Sequence, residues 1–205
     1  MAARSDEIIR AFIAIDLSPE LQQVLARLSR ELQARLSHLP LRWVPPENIH
    51  LTLKFLGDIS TRNLRLIQEL MAREAALYPP FEFSAGTLGA FPSMRHPRVL
   101  WVGVEGPKVL FQLQESFEKL MARLGYPPDS KPFAPHLTLA RMARTARGED
   151  IRALAHALRQ EKVGYLGSTR VEAIHLYRSD LRPSGAVYTR LFTAPLQPSE
   201  SALVV

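Results

Sequence analysis

The chain contains the tetrapeptide His-Leu-Thr-Leu twice, at residues 50–53 and again at residues 136–139. As a strand, each copy would place one histidine and one threonine on one face and two leucines on the other. A neutral imidazole can accept a proton from water while a protonated one donates to a departing alkoxide, and threonine hydroxyls can hold phosphate oxygens. His50, Thr52, His136 and Thr138 therefore predict metal-free acid–base chemistry on a phosphate.

The duplication is what favours catalysis over a structural role. A single His-x-Thr strand is more often structural, with its imidazole bonded to a backbone carbonyl. Zinc is the main competing interpretation because histidines bind it well. However, the sequence contains no His-Glu-x-x-His pattern, and neither copy has a nearby carboxylate as an evident third ligand. We therefore predict neither a metal nor another cofactor.

Three further residues are candidates for contact with a substrate. Arg141 closely follows the second copy and could bind phosphate, although a surface ion pair is an equal alternative. Arg42 and Tyr177 are candidates of the same standing. His175 falls in a predicted strand, where a hydrogen-bonded structural role is expected.

Phe55 is open to two interpretations. Strict alternation from His50 points Phe55 away from the cleft, so packing in the core is the default expectation. A role in stacking on a base would require a bulge or a strand end near Lys54.

The composition indicates an ordinary globular protein. The 205 residues are 46% apolar and 22% charged, and they include no cysteine, which excludes disulfides and thiolate nucleophiles. No apolar run approaches the roughly 20 residues that span a bilayer, so we predict no membrane association. The absence of cysteine makes a reducing cytoplasm the simplest location, although it is compatible with other locations. The net charge of +6 favours anionic partners such as nucleic acid, although it also serves solubility. No obligate protein partner is evident.

The predicted helices and strands are intermixed without regular alternation, which favours an α+β fold. Ser18 is a predicted helix N-cap followed by a proline, and Gly125 a predicted helix end. Each tetrapeptide follows a proline-containing entry after a helix, so two similar lobes should face each other within one domain, residues 1–205. Predicted strands cover residues 8–17, 49–56, 81–85, 99–104, 170–178 and 187–194, with a long loop around residues 91–92 and a loose tail from Pro198.

The amino-acid sequence around both copies resembles that of the two-histidine phosphoesterase superfamily, and within it the RNA 2',3'-cyclic phosphodiesterases once described as 2'-5' RNA ligases. The resemblance implies a bilobal, pseudo-symmetric α+β fold whose two antiparallel sheets line a central cleft, with helices outside. It also implies metal-independent hydrolysis of RNA terminal 2',3'-cyclic phosphates, or of 2',3'-cyclic nucleotides, to 2'-phosphomonoesters. The resembling segments are residues 11–16, 43–57, 89–92, 135–141 and 176–179, with Gly185 and Tyr188.

The same resemblance implies individual roles. His50 would donate a proton to the departing 3' oxygen, His136 would activate water, and Thr52 and Thr138 would hold the phosphate. Phe55 would stack on the base, against the alternation argument. The two tetrapeptides, each of which supplies one histidine–threonine arm of the site, are nearly symmetric. Only the analogy with the family therefore assigns which histidine is the acid and which is the base. A 2'-5' RNA ligase running the reverse chemistry and a non-catalytic nucleotide-binding module remain the alternatives.

Overall fold

The computed structural model describes residues 6–182 and 185–197, so the predicted loose tail lies outside the described residues. The predicted α+β class is confirmed: four helices accompany nine strands in this part of the chain, and all strand pairs are antiparallel. The helices are α1 (Pro19–Arg35), α2 (Leu64–Ala75), α3 (Lys108–Arg123) and α4 (Gly148–Gln160). The strands are β1 (Ile8–Ile15), β2 (Leu41–Trp43), β3 (Leu51–Ser60), β4 (Phe81–Ser93), β5 (His96–Glu105), β6 (His136–Met142), β7 (Tyr165–Val171), β8 (Ala173–Arg182) and β9 (Gly185–Pro195).

Local sequence determines where two of the helices begin or end. The Ser18 hydroxyl accepts a hydrogen bond from the Leu21 N–H at 3.3 Å, and Pro19 occupies the first turn of α1, as predicted. Helix α3 is followed by Gly125, whose φ of +89° lies in the left-handed region that glycine adopts without steric cost.

The strands form one continuous sheet made of two antiparallel halves. The order is β7-β4-β5-β6-β3-β1-β8-β9, with β2 also paired to β6. The halves meet between β3 and β6, where the register records a single pair, Leu51 with Leu137. The two predicted sheets are therefore present and are joined at the point where the two tetrapeptides lie.

The chain repeats one pattern of elements and exchanges strands between the halves. The order β1, α1, β3, α2 recurs as β5, α3, β6, α4. The strand that follows α2 is β4, which pairs with β5 in the second half, whereas β8 pairs with β1 in the first half. Each half of the sheet therefore contains strands from both parts of the chain.

The helices cover one face of this sheet. The four leucines of the tetrapeptides are buried there, at 0 to 2% exposure, among apolar side chains of the helices. Burial of each leucine side chain contributes about 1.5–3 kcal/mol. The other face is left to the polar members of the tetrapeptides.

Two sequence predictions about strands are wrong. Residues 91–92 belong to β4, because Pro92 lies at a register irregularity in the β4–β5 hairpin, where a ladder N–H is dispensable. Residues 170–178 form two strands that break at Glu172, because β7 pairs with β4 and β8 pairs with β1. The break is where the chain crosses from one half of the sheet to the other.

None of the helices in the described ranges combines the length and the apolar character that crossing a membrane requires.

Candidate active site

The two tetrapeptides lie side by side where the halves of the sheet meet. Leu51 of β3 pairs with Leu137 of β6, so the histidine and threonine that flank each of these leucines come close to those of the other copy. All four polar side chains are half-buried, while the adjacent leucines are fully buried. The structure therefore brings the four residues together on one face of the sheet.

Both imidazoles are held in the same way. Nδ1 of His50 is 2.8 Å from the carbonyl oxygen of Asn48, and Nδ1 of His136 is 2.7 Å from that of Ala134. A carbonyl can only accept, so Nδ1 carries a proton in each ring. Nε2 is then the nitrogen that can gain or lose a proton, and both rings are oriented for that exchange.

Burial lowers the pKa of both histidines, because it penalises the charged ring. For His50 the backbone bond to Asn48 and the charge of Asp16 raise the pKa, while His136 and Arg141 lower it. For His136 the bond to Ala134 raises the pKa and Arg141 lowers it. His136 is thus close enough to His50 to oppose its protonation.

Aromatic side chains surround each ring. Phe12 stacks on His50 with the ring centroids 4.7 Å apart, and Tyr188 meets His50 edge-on at 5.3 Å. His136 meets the edge of Phe91 at 4.8 Å and lies 6.2 Å from Trp101. These contacts fix the orientation of both rings and remove water from part of their surroundings.

A bulge in β3 decides the position of Phe55. The β1–β3 register pairs Thr52 and Lys54 with consecutive residues of β1 and skips Leu53. Leu53 and Lys54 are consequently both buried, and the alternation restarts with Phe55 on the side of His50. Phe55 is 53% exposed, with its ring 6.1 Å from that of Phe12. The expectation that Phe55 packs in the core is therefore wrong.

An equivalent bulge in β6 turns Arg141. The β5–β6 register skips Leu139, so Leu139 and Ala140 are both buried and Arg141 is exposed at the position that corresponds to Phe55. Arg42 lies directly opposite Arg141 in the β2–β6 register.

Arg141 brings positive charge close to both histidines, and Arg42 adds a second cationic residue on the strand opposite Arg141. Neither Arg42 nor Arg141 forms an ion pair with a carboxylate in the described part of the chain. Like charges directly opposite on neighbouring strands repel, so this pair costs stability. Arg141 also influences the pKa of both His50 and His136. The arrangement suits an anion in the cleft.

Tyr177 is part of a hydrogen-bonded group next to His50. Its hydroxyl is 2.8 Å from Oδ1 of Asp16 and accepts from Nε of Arg190 at 3.1 Å, and its ring stacks on Phe12 at 5.4 Å. Burial and the hydrogen bond to Asp16 raise the pKa of Tyr177 to about 12. Tyr177 lines a cavity of about 280 Å³ that also includes His50, Asp16, Tyr188 and Arg190.

Several residues of the site were not singled out from the sequence, chiefly Asp16, Phe12, Arg190 and Trp101. Asp16 directly follows the apolar run of β1, and a carboxylate at a strand end is the one signal that could have indicated it. His175 accords with its expected role, since Nδ1 is 3.0 Å from Oγ1 of Thr193. Its Nε2 also lies 3.6 Å from Oδ2 of Asp16.

Within residues 6–182 and 185–197, no three histidine or carboxylate side chains are grouped so that they could hold a metal ion. Two histidine–threonine arms on two related halves of a sheet are the arrangement of a paired-histidine phosphoesterase. A family model described as "LigT like Phosphoesterase" matches the chain twice, over residues 15–101 and 102–188. The chain belongs to this LigT-like phosphoesterase family.

Two relatives match this chain along nearly their whole length. The RNA 2',3'-cyclic phosphodiesterase of Methanothermobacter thermautotrophicus is 35% identical over 181 residues, which cover 88% of this chain and 95% of that protein. The protein of the same name from Aquifex aeolicus is 33% identical, covering 89% and 95% respectively.

Solved structures share the fold of this chain. A protein of Thermus thermophilus superimposes with a TM-score of 0.78 at 29% identity, covering 94% of this chain and all of that one. Escherichia coli LigT, solved in complex with 3'-AMP, gives a TM-score of 0.69 at 27% identity, with coverage of 93% and 99%.

Proposed function

We propose that this protein hydrolyses the 2',3'-cyclic phosphate at RNA ends, and free 2',3'-cyclic nucleotides, to 2'-phosphomonoesters. The observation that carries the proposal is the Leu51–Leu137 pairing, which sets two histidine–threonine arms beside each other in one cleft. The names of the relatives support the substrate, because curated members that match most of this chain are RNA 2',3'-cyclic phosphodiesterases. A strained cyclic phosphate is also reactive enough to need no metal.

The proposed reaction is a displacement at phosphorus. Neutral Nε2 of His136 takes a proton from water as the water oxygen bonds to phosphorus. The bond between phosphorus and the 3' oxygen breaks, and protonated Nε2 of His50 gives its proton to that oxygen. The products are a 2'-phosphomonoester and a free 3' hydroxyl. Nucleophile and leaving group lie roughly in line in such a reaction, which suits one imidazole on each side.

Hydroxyl and guanidinium groups stabilise the charge on the phosphoryl oxygens in this proposal. Thr52 and Thr138 are half-buried on the same face of the sheet as the histidines, and in this proposal their hydroxyl groups donate to the non-bridging oxygens. Arg141, whose charge acts on both histidines, would bind the same anion.

The remaining candidates are proposed to contact the rest of the substrate. Phe55 offers an exposed ring for a base. Arg42 extends the positive surface beside Arg141 and would bind a backbone phosphate. Tyr177 donates to Asp16 and would act as a wall of the cavity next to His50. We also propose that the two halves form one catalytic domain, because both serve a single phosphorus atom, and that the protein acts on RNA in the cytoplasm.

The decisive experiment is an analysis of products. We expect an oligonucleotide with a terminal 2',3'-cyclic phosphate to give a 2'-phosphate, in buffer with EDTA as well as without it. A 3'-phosphate product would mean that the 2' oxygen, and not the 3' oxygen, is the leaving group. Loss of activity in EDTA with recovery in zinc would contradict metal independence. Joining of RNA halves faster than hydrolysis would instead favour the ligase.

The histidines are tested by substitution. His50→Ala and His136→Ala should each reduce kcat by roughly 10²–10⁴-fold, because each removes one proton-transfer role. Binding of the cyclic phosphate and the thermal unfolding midpoint should change little. His156→Ala, in α4, is the matched control for loss of an imidazole. Near-normal turnover in either arm variant would remove that residue from the mechanism.

A further inference from the structure

The two arms are related by the internal repeat, and the register shows which residues correspond. Leu51 pairs with Ile15 of β1, and Leu137 pairs with Val102 of β5. The next residues along the two strands are Asp16 and Gly103, so these two positions are equivalent. A carboxylate therefore follows the strand beside His50, and a glycine occupies the corresponding place beside His136.

In the second arm, the position equivalent to Asp16 is crowded. Gly103 is the register partner of His136. A Cβ atom at Gly103 would come within 3.1 Å of both the Gly86 carbonyl oxygen and Oγ1 of Thr87, which is tighter than ordinary packing. This crowding disfavours a side chain at the position where the first arm has Asp16.

Asp16 is held in place on the side of His50. It lines the same cavity as His50, and its carboxylate is bonded by the Tyr177 hydroxyl and by the Arg190 guanidinium. Nε2 of His175 lies 3.6 Å away from it. Phe12 stacks on both Tyr177 and His50, so Asp16 and His50 belong to one packed group.

We propose that Asp16 is a positioning residue that distinguishes the two histidines: it stabilises the protonated ring of His50 and thereby makes His50, and not His136, the proton donor. This inference rests on the proposed function, in which one imidazole must enter the reaction charged and the other neutral. It supplies a physical basis for an order that the tetrapeptides themselves leave open.

The charges around the two rings support this assignment. The groups that act on His50 are Asp16, which favours the charged ring, and His136 and Arg141, which oppose it. Arg141 is the charge that acts on His136, and it too opposes the charged ring. Among the described residues Asp16 is therefore the carboxylate that separates the two environments.

The direct test is a proton titration of each imidazole by NMR in the substrate-free protein. In Asp16→Asn, which keeps an oxygen to accept from Tyr177, the pKa of His50 should fall while that of His136 stays unchanged. Glu47→Gln is the matched control, because Glu47 lines the same cavity without acting on the charge of His50. Tyr177→Phe, which removes the hydrogen bond and keeps the carboxylate, should leave the pKa of His50 raised relative to Asp16→Asn. An unchanged His50, or an equal shift of both rings, would overturn the proposal.

Kinetics provide an independent readout. Asp16→Asn should lower kcat by about 10- to 100-fold, less than the ~10²–10⁴-fold that loss of a general acid costs. A cyclic phosphate with sulfur in place of the 3' bridging oxygen should largely abolish this defect, because a thiolate departs without a proton. An equal defect on both substrates would make Asp16 merely structural. Absence of hydrolysis by the wild-type protein would overturn the proposed function, whereas normal hydrolysis with an unresponsive His50 would overturn only the role of Asp16.

Discussion

At the scale of single residues, each proposed catalytic imidazole is controlled by a backbone carbonyl and by burial. The carbonyls of Asn48 and Ala134 hold the proton on Nδ1 and leave Nε2 for exchange. Burial opposes protonation of both rings, so a bound phosphate, with its negative charge, would favour the charged form needed by the donor. Substrate and site are in this way electrostatically complementary.

These shifts predict how the rate depends on pH. Because burial lowers the pKa of both histidines from 6.5, the bell-shaped profile of kcat/KM should be centred below pH 6.5. Phosphate in the cleft raises both values, so the profile of kcat should lie at higher pH. The measurement is the steady-state rate from about pH 4 to 9 with a 2',3'-cyclic nucleotide. A kcat/KM optimum well above 6.5 would contradict the desolvated environment of the two rings.

Phe55 provides a second prediction at this scale. Replacement of the exposed ring by alanine should raise KM for an oligonucleotide with little change in kcat, because a stacked base contributes roughly 1–3 kcal/mol. Phe55→Trp should retain the affinity, since it keeps an aromatic face. Phe111→Ala, which removes a comparably exposed ring from α3, is the control. An unchanged KM in Phe55→Ala would show that the ring does not bind a base and only packs near Phe12.

At the scale of elements, bulges at equivalent places in β3 and β6 allow each strand to direct some side chains into the core and others into the cleft. In β3 the bulge is stabilised from beneath, since Nζ of the fully buried Lys54 is 2.7 Å from Oε2 of Glu118 and 2.6 Å from the Pro127 carbonyl oxygen. Gln114 donates to the Leu53 carbonyl oxygen at 3.4 Å. This cluster connects the first arm to the segment that leads into the second.

Lys54→Met should therefore be strongly destabilising. It removes the cationic partner of the largely buried Glu118 carboxylate, at a cost of about 3–5 kcal/mol in the free energy of unfolding. Urea denaturation measures this change, and Lys54→Met combined with Glu118→Leu should recover part of it. The exposed Arg65–Glu69 pair is the control, since Arg65→Met should cost less than about 0.5 kcal/mol. Equal losses of unfolding free energy in Lys54→Met and Arg65→Met would show that the buried pair is no more important for stability than the exposed one.

At the scale of the whole molecule, the cleft depends on strands exchanged between the two parts of the chain. β4 follows α2 yet completes the half that contains His136, and β8 follows α4 yet completes the half that contains His50. Each arm is consequently supported by residues distant in sequence. Tyr177 of β8 and Phe91 of β4, for example, lie in opposite halves from the helices that precede them.

The exchange predicts that neither part of the chain folds alone. If the chain is divided at Gly106, between β5 and α3, the fragments should separately lack cooperative unfolding and activity, because β1 loses β8 and β5 loses β6. Together they should regain hydrolysis of a cyclic nucleotide. Circular dichroism during denaturation and a rate assay on the mixture test this. Cooperative unfolding of either fragment on its own would contradict the prediction.

Features of the fold and the site that depend on nearby residues could be predicted from the amino-acid sequence. Alternation in a strand places His50 and Thr52 on one face and Leu51 and Leu53 on the other, and the identical tetrapeptide at 136–139 repeats that arrangement. Cap residues likewise locate the start of α1. These features depend on contacts within a few positions of the chain, which a sequence displays directly.

Features that depend on the register between distant strands could not be predicted and became known from the fold. The bulge that turns Phe55 toward the cleft exists because β1 and β3 pair as they do, and the break at Glu172 exists because β7 and β8 join different halves. The difference between Asp16 and Gly103 becomes visible only when the two pairings are compared. Register is set by which strands meet in three dimensions, so no local pattern of residues specifies it.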